Sequence, residues 1–182
     1  MRSTLAGETS SKGCSTVVWR KLEVAVLMRA FARAFDVEPP RTATLSAFRS
    51  FTAACMEAAL ADACVAERYR TRLGEEACCL GARIRSVPGV WIIGASRITR
   101  LLYRGIGIEL HGDLPGSLEF CPCYFSERYT PADCWFMAAF DEGFMRGISG
   151  CEGANLVFRC RLTEGASRCC ARFGSEERNT DG

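Results

Sequence analysis

Apolar residues recur at three-and-four spacing from Val17 to about Val37, through Trp19, Leu22, Val26, Leu27, Ala30, Phe31, Ala34 and Phe35. That period predicts an amphipathic helix. Glu38-Pro39-Pro40 stops it, because proline lacks the amide donor and pushes its predecessor out of helical space. A second helical pattern runs from about Thr44 to Leu73, with Leu45, Phe48, Phe51, Cys55, Met56, Leu60, Cys64 and Val65 on its apolar side. Cys55 and Cys64 lie half a turn out of phase there, which marks both as packing residues rather than joint ligands. Residues 1–16 are mostly polar and read as a flexible leader, and residues 175–182 as a flexible tail. The span 17–174 is left as one domain.

The middle is less regular. Cys78-Cys79-Leu80-Gly81 reads as a loop or short strand, Val87-Pro88-Gly89 as a turn, and Ser96 to Tyr103 as a helix. His111 to Gly116 is dense in turn formers. From Ser117 to Phe125 the pattern alternates, with Leu118, Phe120 and Tyr124 on one side and Glu119, Cys121 and Cys123 on the other. Pro122 has no amide to donate, so this strand should lie at an edge or carry a bulge. Thr130-Pro131-Ala132-Asp133 predicts a helix start, with Thr130 as N-cap and Pro131 at the first helical position, and the helix runs to about Gly147. Two strands, Asn155 to Leu162 and Ser167 to Phe173, then flank the turn Thr163-Glu164-Gly165-Ala166. Helices precede a strand, a helix and a β-hairpin, which is an α+β order: N-terminal helices packed on a small antiparallel sheet.

Composition narrows the class. The 182 residues suit one domain, and 48% hydrophobic with 24% charged residues is globular. A net charge of +2 gives no footprint for nucleic acid or a membrane. Nearly all the cations are arginine, which grips planar carboxylates bidentately. Of the loudest residues, the 12 cysteines, none follows a secretory signal, so a cytoplasmic, reduced chain without a disulfide framework is expected. Structural zinc would show paired knuckles at two-to-four spacing. No Cys-x₂-Cys pair exists and His111 is the single histidine, so neither a metal nor another cofactor is expected.

Four features carry candidate chemistry. On the helix from Pro131, Met137, Phe140, Phe144 and Ile148 form the core stripe, while Cys134 and Asp141 share the adjacent one, only about 20° apart in projection. In the hairpin, a four-residue turn would set Cys160 opposite Cys169, Phe158 opposite Ala171 and Leu156 opposite Phe173, all on one apolar face, with Arg159, Arg161, Arg172 and Cys170 on the other. Cys169 and Cys134 would then open onto one cavity, the first presented by the sheet and the second by the covering helix. Histidine is the one side chain whose unperturbed pKa lies near neutral pH, so His111 is a candidate acid or base, and Glu164 heads the tight turn at the expected cavity mouth. Packing roles for the cysteines and solvated roles for His111 and Glu164 are the plain alternatives.

A family resemblance overlies this reading. Tyr124-Phe125-Ser126, Tyr129-Thr130-Pro131, Cys134, Asp141-Glu142-Gly143 and Gly147 resemble the signature of the L-2-amino-thiazoline-4-carboxylic acid hydrolase family. Arg161 to Gly165, then Cys169, Ala171 and Phe173, and upstream Gly105 to His111, extend the likeness over roughly residues 100–173. Cys151-Glu152 after Ser149-Gly150, and Cys170 beside Cys169, depart from it. The resemblance implies an α+β fold related to 4-vinyl reductase-like domains and the opening of a 2-aminothiazoline ring by water added across a C=N carbon. Such chemistry needs a nucleophile, a proton carrier and a cation for the substrate carboxylate. It nominates Cys134 or Cys169 as nucleophile, Asp141, Glu164 or His111 as proton carriers, and Arg128 or Arg161 for the carboxylate, with Ser126 and Tyr129 as substrate contacts. A cyclase running related chemistry toward ring closure, a non-catalytic ligand-binding domain and a thiolate metal protein are the competing readings. The expected partner is a small molecule, and an edge strand would also allow a homodimer.

Overall fold

A computed structural model describes residues 12–175. Six α-helices and four strands follow in the order α1 (Lys12–Phe35), α2 (Leu45–Leu60), α3 (Ala63–Arg85), α4 (Val90–Ile93), α5 (Ala95–Gly105), β1 (Ile108–Gly112), β2 (Gly116–Cys123), α6 (Pro131–Ser149), β3 (Asn155–Cys160) and β4 (Cys169–Gly174). The strands form one antiparallel sheet in the order β1-β2-β4-β3. Its inner face, with Leu110, Leu118, Phe120, Leu156, Ala171 and Phe173, is buried against the helices, and the α+β class is as the element order predicts. No described helix is long and apolar enough to cross a membrane.

The helix that organises the core is α6. Thr130 Oγ1 accepts from the Asp133 amide at 3.2 Å, and Asp133 Oδ2 accepts from the Thr130 amide at 2.8 Å, a reciprocal capping box behind the predicted Pro131. This lock fixes which faces Cys134 and Asp141 present. Phe136, Phe140, Phe144 and Ile148 are buried. The edge of this same stripe, at Gly143 and Gly147, meets α3 backbone to backbone. A Cβ at Gly143 would collide with the Gly74 carbonyl, and one at Gly147 with the Cys78 carbonyl.

That contact explains one departure from the sequence pattern. Cys78-Cys79-Leu80-Gly81 is the fifth turn of α3, not a loop or strand, because its small residues admit α6 at close range. The single helix expected over 44–73 is two. Asp62 caps α3 by accepting from the Cys64 and Val65 amides, so Cys64 lies in an exposed first turn and is not a packing residue. Helix α1 begins at Lys12, so the last five residues expected in the leader are helical. Residues 1–11 of the expected leader and 176–182 of the tail lie outside the described residues.

Two bulges change which way the thiols point. Pro122 sits in β2, an interior strand, so the bulge and not the edge is how the sheet accommodates it. The pairing with β1 slips between Leu110↔Phe120 and Ile108↔Cys123, and the extra residue turns Cys123 inward rather than outward. In the hairpin, Leu156↔Phe173 and Phe158↔Ala171 pair as predicted, but a second slip sets Cys160 against Cys170 instead of Cys169. Cys160 therefore joins Cys170 and leaves Cys169 alone on the inner side.

Candidate functional site

Side chains from α5, α6 and the sheet meet around Asp141. The Tyr103 hydroxyl donates to Asp141 Oδ1 at 2.6 Å, giving the buried phenol the partner it requires. Asp141 is half-buried by area and lines a cavity. Burial pushes its carboxyl up to about 7, with the Tyr103 hydrogen bond pulling partly the other way. The same burial, reinforced by the adjacent carboxylate, holds the Tyr103 phenol well above its usual range.

The cavity is apolar and largely enclosed, about 60 Å³, enough for a few water molecules. Leu102, Ile106, Phe140 and Phe144 form much of its wall, and Asp141, Tyr103 and Tyr129 are its polar groups. Tyr129 is buried and shares a short hydrogen bond with Thr52, so its ring walls the cavity while its hydroxyl is engaged.

Three thiols also lie near Asp141. Cys134, Cys169 and Cys123 are partly buried, and all three lie in the electrostatic field of Asp141. Burial raises each thiol, Cys123 to about 11. For Cys134 the Thr163 hydroxyl pulls partly back, and for Cys169 the Leu162 amide does so, donating to its sulfur at 3.2 Å. Cys134 and Cys169 are electrostatic neighbours, but the enclosed cavity is lined by neither, unlike the shared cavity expected for them. Asp141 is the group common to the cavity and the thiols. Among the described residues, no three His, Cys, Asp or Glu side chains converge as a metal site would require.

Arg161 lies close enough to Cys134 and Cys169 to favour their ionised forms slightly. Its guanidinium stacks over Phe158 at 5.0 Å and pairs with Glu164 at 3.0 Å. The buried Nε of Arg161 and the buried Oγ1 of Thr163 have no full hydrogen-bond partner among the described residues, although Thr163 stands beside the Cys134 thiol. An unsatisfied donor is costly when buried, so each of these two groups would gain from a further partner.

Other nominated residues stand elsewhere. His111 lies in β1 with 64% of its side chain exposed, facing Glu109 at 4.0 Å on the outer side of the sheet. It is no proton carrier for this site, because the strand's alternation turns it away. Arg128 is exposed in the turn after β2, so of the two arginines only Arg161 approaches the thiols. The Ser126 hydroxyl donates to the Cys123 carbonyl at 2.7 Å, closing that turn rather than facing a substrate. Glu164 holds Arg161 at the rim and does not reach Asp141's environment as a second acid.

Sequence reasoning missed Tyr103, Cys123 and Thr163. A tyrosine on the buried face of a short helix was the available signal for the first. Cys123 was hidden by the bulge, and Thr163 by the single 3₁₀ turn, Leu162–Glu164, that replaces the expected tight turn. No protein-family model, curated protein or solved structure matches this chain.

Proposed function

We propose that the chain is a small-molecule enzyme acting on a C=N or C–N bond of a cyclic, amino-acid-derived substrate of the 2-aminothiazoline-carboxylate kind, with Asp141 as its proton carrier. The supporting observation is Asp141 itself: a carboxyl on a cavity wall, oriented by Tyr103, and poised near neutrality. A group that titrates near the working pH can both accept and return a proton.

The step balances as follows. The Asp141 carboxylate takes a proton from water as its oxygen bonds to the C=N carbon, and the π pair moves to nitrogen. The protonated Asp141 gives that proton to the ring nitrogen; the added hydroxyl then becomes C=O as the C–S bond breaks with its electron pair on sulfur, and Asp141 carries the hydroxyl proton to that sulfur, which leaves as the free thiol. Thiols held above their usual range are neutral at pH 7, so activated water fits better than a thiolate nucleophile. Arg161 Nε and Thr163 Oγ1 supply unsatisfied polar groups for the substrate carboxylate. A substrate of ring size needs side-chain movement at the cavity mouth. The same groups in the reverse sense serve a cyclase.

A second reading, a non-catalytic small-ligand domain, is favoured by the enclosure and apolar wall of the cavity. The two part on one assay. Purified protein supplied with 2-aminothiazoline-4-carboxylate should release a free thiol, and Asp141→Asn should lower the rate by about 10²–10⁴-fold. Binding without turnover by the unaltered chain favours the second reading. A substrate adduct on Cys134 or Cys169 in intact mass spectra would move the nucleophile from water to the thiol.

A further inference from the structure

The segment from Ala77 to Ile108 contains five arginines and no Asp or Glu. Its centre projects from the fold. Between Gly89 and Gly94, both at positive φ and both open on the Cβ side, α4 exposes Trp91 by 77%, Ile92 by 71% and Ile93 by 47%, next to Val87 at 51%. Burying none of a helix's residues is unusual when three of them are large and apolar.

Helix α5 continues this surface. Arg97, Leu101 and Arg104 recur at four-and-three spacing and are all exposed, while Ile98, Leu102 and Tyr103 turn inward. Arg83, at the end of α3, is exposed as well. Arg100 is occupied, donating to the Gly112 carbonyl at 3.1 Å and pairing with Asp113 at 3.4 Å, and Arg85 packs against Gly150. Two carboxylates border the patch: Asp113, held by Arg100, and Glu23, beside Gly105.

We infer that α4 and the outer face of α5 form a peripheral docking surface for an anionic phospholipid bilayer. An exposed tryptophan with two isoleucines enters the headgroup–acyl boundary, and arginines of one sign beside them meet the negative surface. Charge also argues against a second copy of the chain on this face. An isologous contact would bring Arg97 and Arg104 toward their own duplicates, and like charges facing each other in an interface are costly. The wall of the cavity that Leu102, Tyr103 and Ile106 supply is the inner side of the same helix, so docking would place the candidate site next to the lipid surface.

Cosedimentation with vesicles tests this directly. The full chain should bind vesicles of equal parts phosphatidylcholine and phosphatidylserine, bind pure phosphatidylcholine far less, and release as salt is raised. Trp91→Ser should weaken binding about tenfold through lost apolar burial, and Arg97→Glu with Arg104→Glu roughly thirtyfold or more. Circular dichroism should show an unchanged fold for these variants, since Trp91, Arg97 and Arg104 are exposed. In a W19F/W135F background, Trp91 emission should shift to the blue only when anionic vesicles are added. Equal binding to both lipids, or to neither, overturns the inference. So does a concentration-dependent dimer that Trp91→Ser dissolves, which assigns the face to a second copy. Trp91 emission already blue in lipid-free buffer overturns it too, because the chain's own termini would then cover the patch.

Discussion

The two faces of the sheet each carry a group of thiols, and their surroundings differ. Inside, Cys169 stands near Cys134 and Asp141, and Cys134 near Cys123, where burial raises every thiol and the nearby cation, Arg161, is already paired with Glu164. Outside, Cys170 sits opposite Cys160 and Glu119, with the Cys160 sulfur near the Arg168 carbonyl at 3.5 Å and Arg168 bridging to Glu119 at 3.0 Å. Burial is secondary for Cys170, whose thiol is raised first by its hydrogen bond with Cys160. Cys169 and Cys170 are consecutive residues. The pleat alone separates a thiol in a desolvated, acid-bearing recess from one in a solvated ionic surface, so cysteine content by itself says little about reactivity here.

The sharpest way to break this contrast is to charge each neighbour in turn. Cys169→Arg buries a cation beside apolar walls and should cost about 3–5 kcal/mol of unfolding free energy in urea titrations. Cys170→Arg, facing Glu119 across the strand pair, should stay within about 0.5 kcal/mol. Equal costs would mean the two faces are not distinct.

A smaller effect tests the inner carboxyl. Asp141 is raised from 3.8 to about 7, so the folded chain holds a proton that the unfolded chain releases. Its favourable contribution is complete below the unfolded value and is lost as pH rises through the folded one. Asp141→Asn removes this loss while keeping an acceptor for Tyr103. Thermal melts should therefore show the variant more stable by about 2 kcal/mol at pH 8, with the gain shrinking below pH 7 and vanishing near pH 4. A constant difference across that range would place the carboxyl in water.

The smallest effect is kinetic. With iodoacetamide at neutral pH, the exposed Cys64 and Cys79 should alkylate first, and Cys123 and Cys134 about tenfold or more slowly, as read by peptide mass spectrometry. Fast labelling of Cys134 would show a thiolate that its burial argues against.

How much of this was legible in advance varies with locality. Thr130, Pro131 and Asp133 specify the start of α6 through contacts spanning three residues, and with the start fixed, Cys134 and Asp141 fall on one face. The first two hairpin pairs follow from strand alternation. Two slips at Cys121–Cys123 and Phe158–Cys160 were not readable, because a bulge is set by how neighbouring strands fit and leaves one extra residue that no period predicts. The Cys-Cys-Leu-Gly segment was misread for the same kind of reason: its small residues weaken the helical pattern, yet they are what lets α6 approach.

From the chain alone came the α+β class, the capped helix and the pairing of a thiol with a carboxylate along it, since each depends on residues within a few positions of one another. Which thiols join that carboxylate, that Tyr103 holds it, that His111 faces away, and that α4 leaves Trp91, Ile92 and Ile93 exposed were decided by tertiary structure. Burial and proximity across long sequence separations set those outcomes, and neither is a property of any local stretch.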